Sequence, residues 1–142
     1  MRWILLDEIL NIQKGSRALT RSHVPDAPFS AELLMVEMMA QTGALVLGAE
    51  KDFQQDIIFA KIESVSFSDD RRLGEPVEIE AASENLRPEG AWFDAVVRGG
   101  RGMIAEGRFL IMDVGHLVPG SEKPITFHDA FMNHFHVRSK IK

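Results

Sequence analysis

The stretch "LLMVEMMAQTGALVLG", Leu33 to Gly48, decides the fold. It is apolar on nearly every side, and the exceptions are Glu37, Gln41 and Thr42. A helix with that pattern is surrounded by protein rather than lying on a surface. Glu37 and Gln41 are four residues apart, so they share one helical face and can touch. A carboxylate inside such a helix needs a reason, because an unpaired charge in an apolar interior costs more than one side chain's packing returns. The same stretch is the only candidate membrane span, but it is short for a bilayer and carries Glu37 and Gln41 near its centre. It reads as the core helix of a soluble, cytoplasmic protein.

Around the helix the pattern changes. "PDAP", Pro25 to Pro28, cannot be regular helix, since each proline pushes its predecessor to extended geometry. Ser30 then offers a hydroxyl to cap a helix that begins near Ala31 and runs to about Glu50. Upstream, Trp3 to Ile12 is rich in branched apolar residues and ends in the turn "QKGS", which predicts a strand or strand pair. Downstream, "IIFAKIESVSF" (Ile57 to Phe67) reads as a strand, and "PVEIEAASENL" alternates apolar and acidic residues. The turns "RPEG" and "GGRG" separate "AWFDAVVR" from its neighbours and predict an antiparallel meander. The fold class is therefore α+β: one long helix wrapped by an antiparallel sheet, and dimeric, since one helix covers only part of such a sheet.

The expected division places the main domain over 1–112 and an extension over 113–142. In the extension, "ITFHDAFMNHFHVRSKIK" spaces Phe127, Phe131 and Phe135 at helical intervals, with Thr126 and Asp129 in capping-box positions. A short amphipathic helix docked on the body or a partner subunit is expected there.

The 142 residues carry a net charge of −5, which disfavours wholesale binding of nucleic acid or anionic membrane. With no cysteine, disulfides, thiolate metal sites and a cysteine nucleophile are excluded. His128, His134 and His136 do not share one helical face, so no metal site is expected of them. Arg98, Arg101 and Arg108 gather near the last hairpin, either solvating a sheet edge or docking an acidic partner or a phosphate. The candidate chemistry lies with His23, on the loop that leads into the helix, and Glu37. A histidine titrates near working pH, and burial raises a carboxyl's pKa until it can hold a proton to donate.

"HVPDAPFSAELLMVEMMAQTG" resembles the motif of the hot-dog-fold β-hydroxyacyl-acyl-carrier-protein dehydratases, whose loop reads roughly H-F-P-G-H-P-x-M-P-G-V-L before a helix with E-A-M-A-Q. The register agrees without a gap. His23 falls on the family's catalytic histidine, Pro25 and Pro28 on its loop prolines, Leu34 on its leucine, and Glu37 on its catalytic glutamate. "WILLDEILNIQKG", "FAKIESVSF" and "GAWFDAVVRGGRGMIAEGRFLI" are similar to further family segments, so the likeness runs from about Trp3 to Met112. Ser30, Ala31 and Glu32 stand where the family has Met-Pro-Gly, and Asp26 and Ala27 where it has glycine and a second histidine.

The resemblance implies a hot-dog fold and dehydration of (3R)-3-hydroxyacyl thioesters to trans-2-enoyl thioesters. It implies that histidine and glutamate come from opposite protomers of a homodimer, which can assemble further as a trimer of dimers. His23 takes the C2 proton and Glu37 protonates the departing hydroxyl. The Glu32 N–H is the counterpart of the family's donor to the thioester carbonyl. Gln41 steadies Glu37, and Phe59, Ala60 and Phe67 are expected walls of an apolar acyl tunnel. The substrate rides on the 4'-phosphopantetheine of an acyl carrier protein, and the chemistry uses no cofactor. Two other readings keep the fold: a catalytically silent subunit that binds acyl chains or pairs with an active partner, and an acyl thioesterase.

Overall fold

The computed structural model describes residues 4–26, 30–70 and 72–142. Trp3, Ala27 and Pro28, named above, lie outside them. A β-hairpin opens the chain, with β1 over Glu8–Gln13 and β2 over Arg17–His23, so the expected strand pair turns at Lys14–Ser16. Helix α1 follows over Ala31–Glu50, then β3 (Asp56–Phe67), β4 (Pro76–Arg87), β5 (Gly90–Gly99) and β6 (Gly102–Gly115). These six strands form one antiparallel sheet in the order β1-β2-β4-β5-β6-β3. β4, β5 and β6 are the expected meander, and β3 returns to the far edge beside β6.

The period-two pattern explains which face goes in. Val77, Ile79 and Ala81 on β4, Ala91, Phe93, Ala95 and Val97 on β5, and Phe109 and Ile111 on β6 are buried. They enclose Met35, Met38, Met39, Leu45, Val46 and Leu47 of α1, which touches every strand. The helix approaches most closely at Gly43, where a Cβ would lie 2.6 Å from Ile111 Cδ1 and 3.4 Å from the Phe93 ring. Thr42 is buried yet satisfied: its hydroxyl donates to Met38 O at 2.8 Å and meets Thr20 Oγ1 at 2.8 Å, tying helix to β2. By length and composition α1 is apolar enough to cross a membrane, but two thirds of it is buried inside this sheet. This is the hot-dog architecture: a long helix held in the curl of an antiparallel sheet.

Ser30 caps α1 as expected, accepting from Leu33 N at 3.3 Å. The last strand, β6, runs to Gly115, and a short helix follows in the extension. α2 is a single short turn-and-a-half, Asp129–His134, and its N-cap is His128, whose Nδ1 accepts from Phe131 N at 3.1 Å. Thr126 is not the cap. Its hydroxyl and backbone N–H both go to the buried carboxylate of Asp56, at 2.9 and 2.7 Å, and an acceptor inside the body outcompetes a helix end. The aromatic spacing does what it suggested: Phe127, Phe131 and Phe135 stack in series with centroids 5.9 and 4.9 Å apart, and Phe127 meets Phe53 edge-on at 5.0 Å. Beyond α2 a 3-10 turn at Val137–Lys140 brings Ile141 beside Ile12, where Lys142 N donates to Ile12 O at 2.8 Å and Lys14 N donates to Lys142 O at 3.2 Å. The extension thereby covers the end of the β1 edge and, through Thr126 on Ile57, the start of the β3 edge; along the rest of β3 no described strand pairs on the outer side.

Candidate active site

Glu37 sits in the second turn of α1, half-buried, between buried Met35 and Met38. Burial pushes its carboxyl above the ordinary glutamate value, and a hydrogen bond from Gln41 opposes that rise. The bond runs from Gln41 Nε2 to Glu37 Oε1 at 3.2 Å, the contact that the four-residue spacing implied. The other end of the Gln41 amide is also held: its Oε1 accepts from Leu5 N at 3.1 Å. The amide orientation is thus fixed by the chain segment before β1.

His23 closes β2, where it pairs with Pro76 of β4, and its imidazole is 54% exposed. Its Nδ1 lies 2.9 Å from Asp7 Oδ2. His23 and Glu37 of one chain therefore have different partners, Asp7 for the first and Gln41 for the second. Both partners trace to Leu5–Asp7. Sequence reading found Gln41 but missed Asp7, because only the β1–β2 register places it beside the ring.

Glu32 lies in the first turn of α1, and its carboxylate accepts from Ser30 Oγ at 2.8 Å. The anion is held at the positive end of the helix dipole, where it is favoured. Phe59, Ala60 and Phe67 all lie on β3, the open edge. Phe59 leans on the buried Phe109 ring at 5.3 Å yet remains 38% exposed, Ala60 is exposed at a bulge, and Phe67 is half-buried. On the same strand Ile62 is 43% exposed, and in the first turn of α1 Leu33 is 63% exposed. Large apolar side chains on an unpaired edge mark a surface to be covered. A groove bounded by Arg87, Trp92, Leu110 and Met112 lies on the other face of the sheet, away from α1, and is not the expected tunnel.

The three arginines do not form one basic patch. Arg101 pairs with Asp70 at 2.6 Å in the hairpin region. Arg108 lies roughly 20 Å further along β6 at strand rise. It is held by Glu63, Glu84 and Asp94 at 2.9, 2.7 and 3.2 Å, above the Trp92 ring. Among the described residues no group of three or more His, Asp or Glu is placed to hold a metal ion.

One carboxylate was not anticipated. Asp56 is fully buried at the start of β3 and accepts from Leu117 N, Ile125 N, Thr126 N and Thr126 Oγ1 at 2.9, 2.7, 2.7 and 2.9 Å. Burial alone would raise its pKa, but these bonds outweigh it and hold the carboxyl below the ordinary aspartate value. It is the anchor of the extension, distant in sequence from everything it binds.

No family model matches the chain. Among solved structures it is similar to the dehydratase heterocomplex ApeI:P from Xenorhabdus doucetiae, with TM-score 0.65 and 14% identity over 78% of this chain and 83% of that one. It is also similar to a hypothetical thioesterase with coenzyme A from Streptococcus pneumoniae, with TM-score 0.61 and 12% identity over 76% and 85%. Helix, sheet and these neighbours together define a hot-dog-fold protein. In sequence it is 31% identical, over 101 residues, to the 3-hydroxyacyl-[acyl-carrier-protein] dehydratase FabZ of Geobacillus thermodenitrificans, covering 63% of this chain and 68% of that one. The chain belongs to the FabZ family of 3-hydroxyacyl-[acyl-carrier-protein] dehydratases, as a divergent member.

Proposed function

We propose that the protein dehydrates (3R)-3-hydroxyacyl thioesters, carried on the 4'-phosphopantetheine of an acyl carrier protein, to trans-2-enoyl thioesters. The observation that carries this reading is the state of Glu37: half-buried, raised in pKa, and oriented by an amide that is itself pinned. A carboxyl that burial makes readier to hold its proton is suited to donate it to a departing hydroxyl. His23 Nε2 removes the proton from C2, electrons move to form the C2–C3 double bond, and Glu37 delivers its proton to the 3-hydroxyl, which leaves as water. As C2 loses its proton, negative charge grows on the thioester oxygen. The backbone N–H of Glu32, in the first turn of α1, is the donor assigned to it. Elimination of this kind balances without a cofactor.

The pair is assembled in a homodimer. His23 is largely exposed in one chain, and the open β3 edge offers the apolar surface a second copy would cover. Phe59, Ala60 and Phe67 then line the acyl tunnel beside α1, and dimers can associate further into a trimer of dimers. The thioesterase reading is kept because of the coenzyme A-bound neighbour, and it differs in the bond broken.

One assay separates the readings. Crotonyl and 3-hydroxyacyl thioesters are supplied, and enoyl absorbance is followed together with thiol release. Reversible hydration without free thiol is the expected result. Thiol release would assign the thioesterase, and silence in both channels would leave an acyl-binding subunit.

A further inference from the structure

We infer that Asp7 is the positioning residue for His23, fixing which imidazole nitrogen carries the proton. The inference rests on the dehydratase reading for its kinetic consequence, but its structural half stands apart from it. Asp7 Oδ2 lies 2.9 Å from His23 Nδ1. A carboxylate at that nitrogen accepts a hydrogen bond from Nδ1–H, which leaves Nε2 as the lone-pair nitrogen. Only a nitrogen with a free lone pair can remove a proton from C2. An imidazole without such a partner is free to carry its proton on Nε2, where it has no basic site facing the substrate.

Asp7 is built into place rather than merely near. Its own N–H donates to Arg21 O at 2.9 Å, and Ser22 Oγ donates to Leu5 O, so the strand entry is pinned on both sides of buried Leu6. The neighbouring charges are otherwise engaged: Arg21 bridges Glu8 at 3.1 Å and Glu78 at 3.8 Å. Glu75 is turned to Gly100 N at 3.0 Å. Asp7 is the acceptor on the ring. The same three residues, Leu5 to Asp7, also hold Gln41 through the Leu5 N–H. One short segment therefore orients the base of one candidate site and the acid of the other.

In a single chain both side chains of the Asp7–His23 pair are more than half exposed, so the contact contributes little to folding of the protomer. Variants at Asp7 are expected to melt like the wild type, which makes the test clean. The protein is labelled with 15N-histidine, and long-range proton–nitrogen spectra are recorded on the alkaline side of the imidazole titration. The wild type is expected to carry its proton on Nδ1. Asp7→Ala is expected to move it to Nε2, and Asp7→Asn, whose carbonyl still accepts, to leave it on Nδ1. In parallel, kcat on a 3-hydroxyacyl thioester should fall about tenfold or more in Asp7→Ala with KM unchanged, and Asp7→Asn should recover part of it. A wild-type proton on Nε2, or a tautomer in Asp7→Ala identical to the wild type, would overturn the inference. So would unchanged kcat in Asp7→Ala. A wild type that turns over no thioester would instead sink the dehydratase reading, and the spectra alone would still decide what Asp7 does to the ring.

Discussion

Gln41 reaches Glu37 with its amide nitrogen at 3.2 Å while its amide oxygen is bonded by Leu5 N at 3.1 Å. The side chain is a strut between the strand entry and the helix. Because it donates to the carboxylate, it favours the ionised form and pulls against the effect of burial. Two consequences of this contact can be measured, and two more follow from the Asp56 anchor and from the close approach at Gly43.

Replacing Gln41 by Leu removes the donor and leaves burial unopposed. The Glu37 pKa then rises further. Because the acid must be protonated to work, the decline of kcat at high pH should move to higher pH in Gln41→Leu. A decline at unchanged or lower pH in the profile would contradict the acid role of Glu37.

Glu37→Gln should abolish dehydration and yet stabilise the fold at neutral pH. The sign follows from linkage. A carboxyl whose folded pKa is raised binds its proton more tightly when folded, so its favourable contribution is present below the unfolded pKa and is lost as pH rises through the folded one. Glutamine removes that loss. The melting-temperature difference, variant minus wild type, should be more positive at neutral pH than in acid.

Asp56→Ala should be the most damaging change outside the catalytic region. It strands four donors from the extension and costs roughly 3 kcal/mol or more by denaturant unfolding. The opposite linkage sign applies here. A carboxyl held below its ordinary value stabilises above the unfolded pKa, and that stability is lost as pH falls through the folded one. Wild-type stability should therefore drop on acidification more steeply than that of Asp56→Ala, and backbone amides of Ile125 and Thr126 should exchange faster in the variant.

Gly43→Ala places a methyl 2.6 Å from Ile111 Cδ1 and tight against Phe93. Side chains inside the curl have little room to move, so the substitution should cost about 1–3 kcal/mol despite alanine's better helix propensity. Thermal denaturation measures it, and a more stable variant would show that α1 sits further from the sheet.

The parts legible in the sequence were those with a local signature. The apolar run with a lone carboxylate marked α1, period two marked the strands, glycine-rich turns marked the meander, and helical spacing paired Glu37 with Gln41. Long-range partners left no such trace. Nothing near Asp56 in sequence announces that residues sixty to seventy positions later will bond to it, and Thr126 reads as a cap until that competing acceptor is in place. Asp7 is similar: within the apolar run Trp3 to Ile12 nothing sets it apart, and only the hairpin register turns it toward His23. The arginines look clustered in the chain, but the rise of β6 carries Arg108 away from the turn and into its own set of carboxylates.

The central claim is that His23 of one protomer works with Glu37 of another, and mixing two inactive variants tests it most directly. Purified His23→Ala and Glu37→Gln are allowed to exchange subunits, and dehydration of a 3-hydroxyacyl thioester is followed by enoyl absorbance. Random exchange makes half of the dimers mixed, each with one intact site of two, so activity should return to about one quarter of wild type. Exchange confirmed by mass labels with no activity regained would contradict a pair shared between subunits.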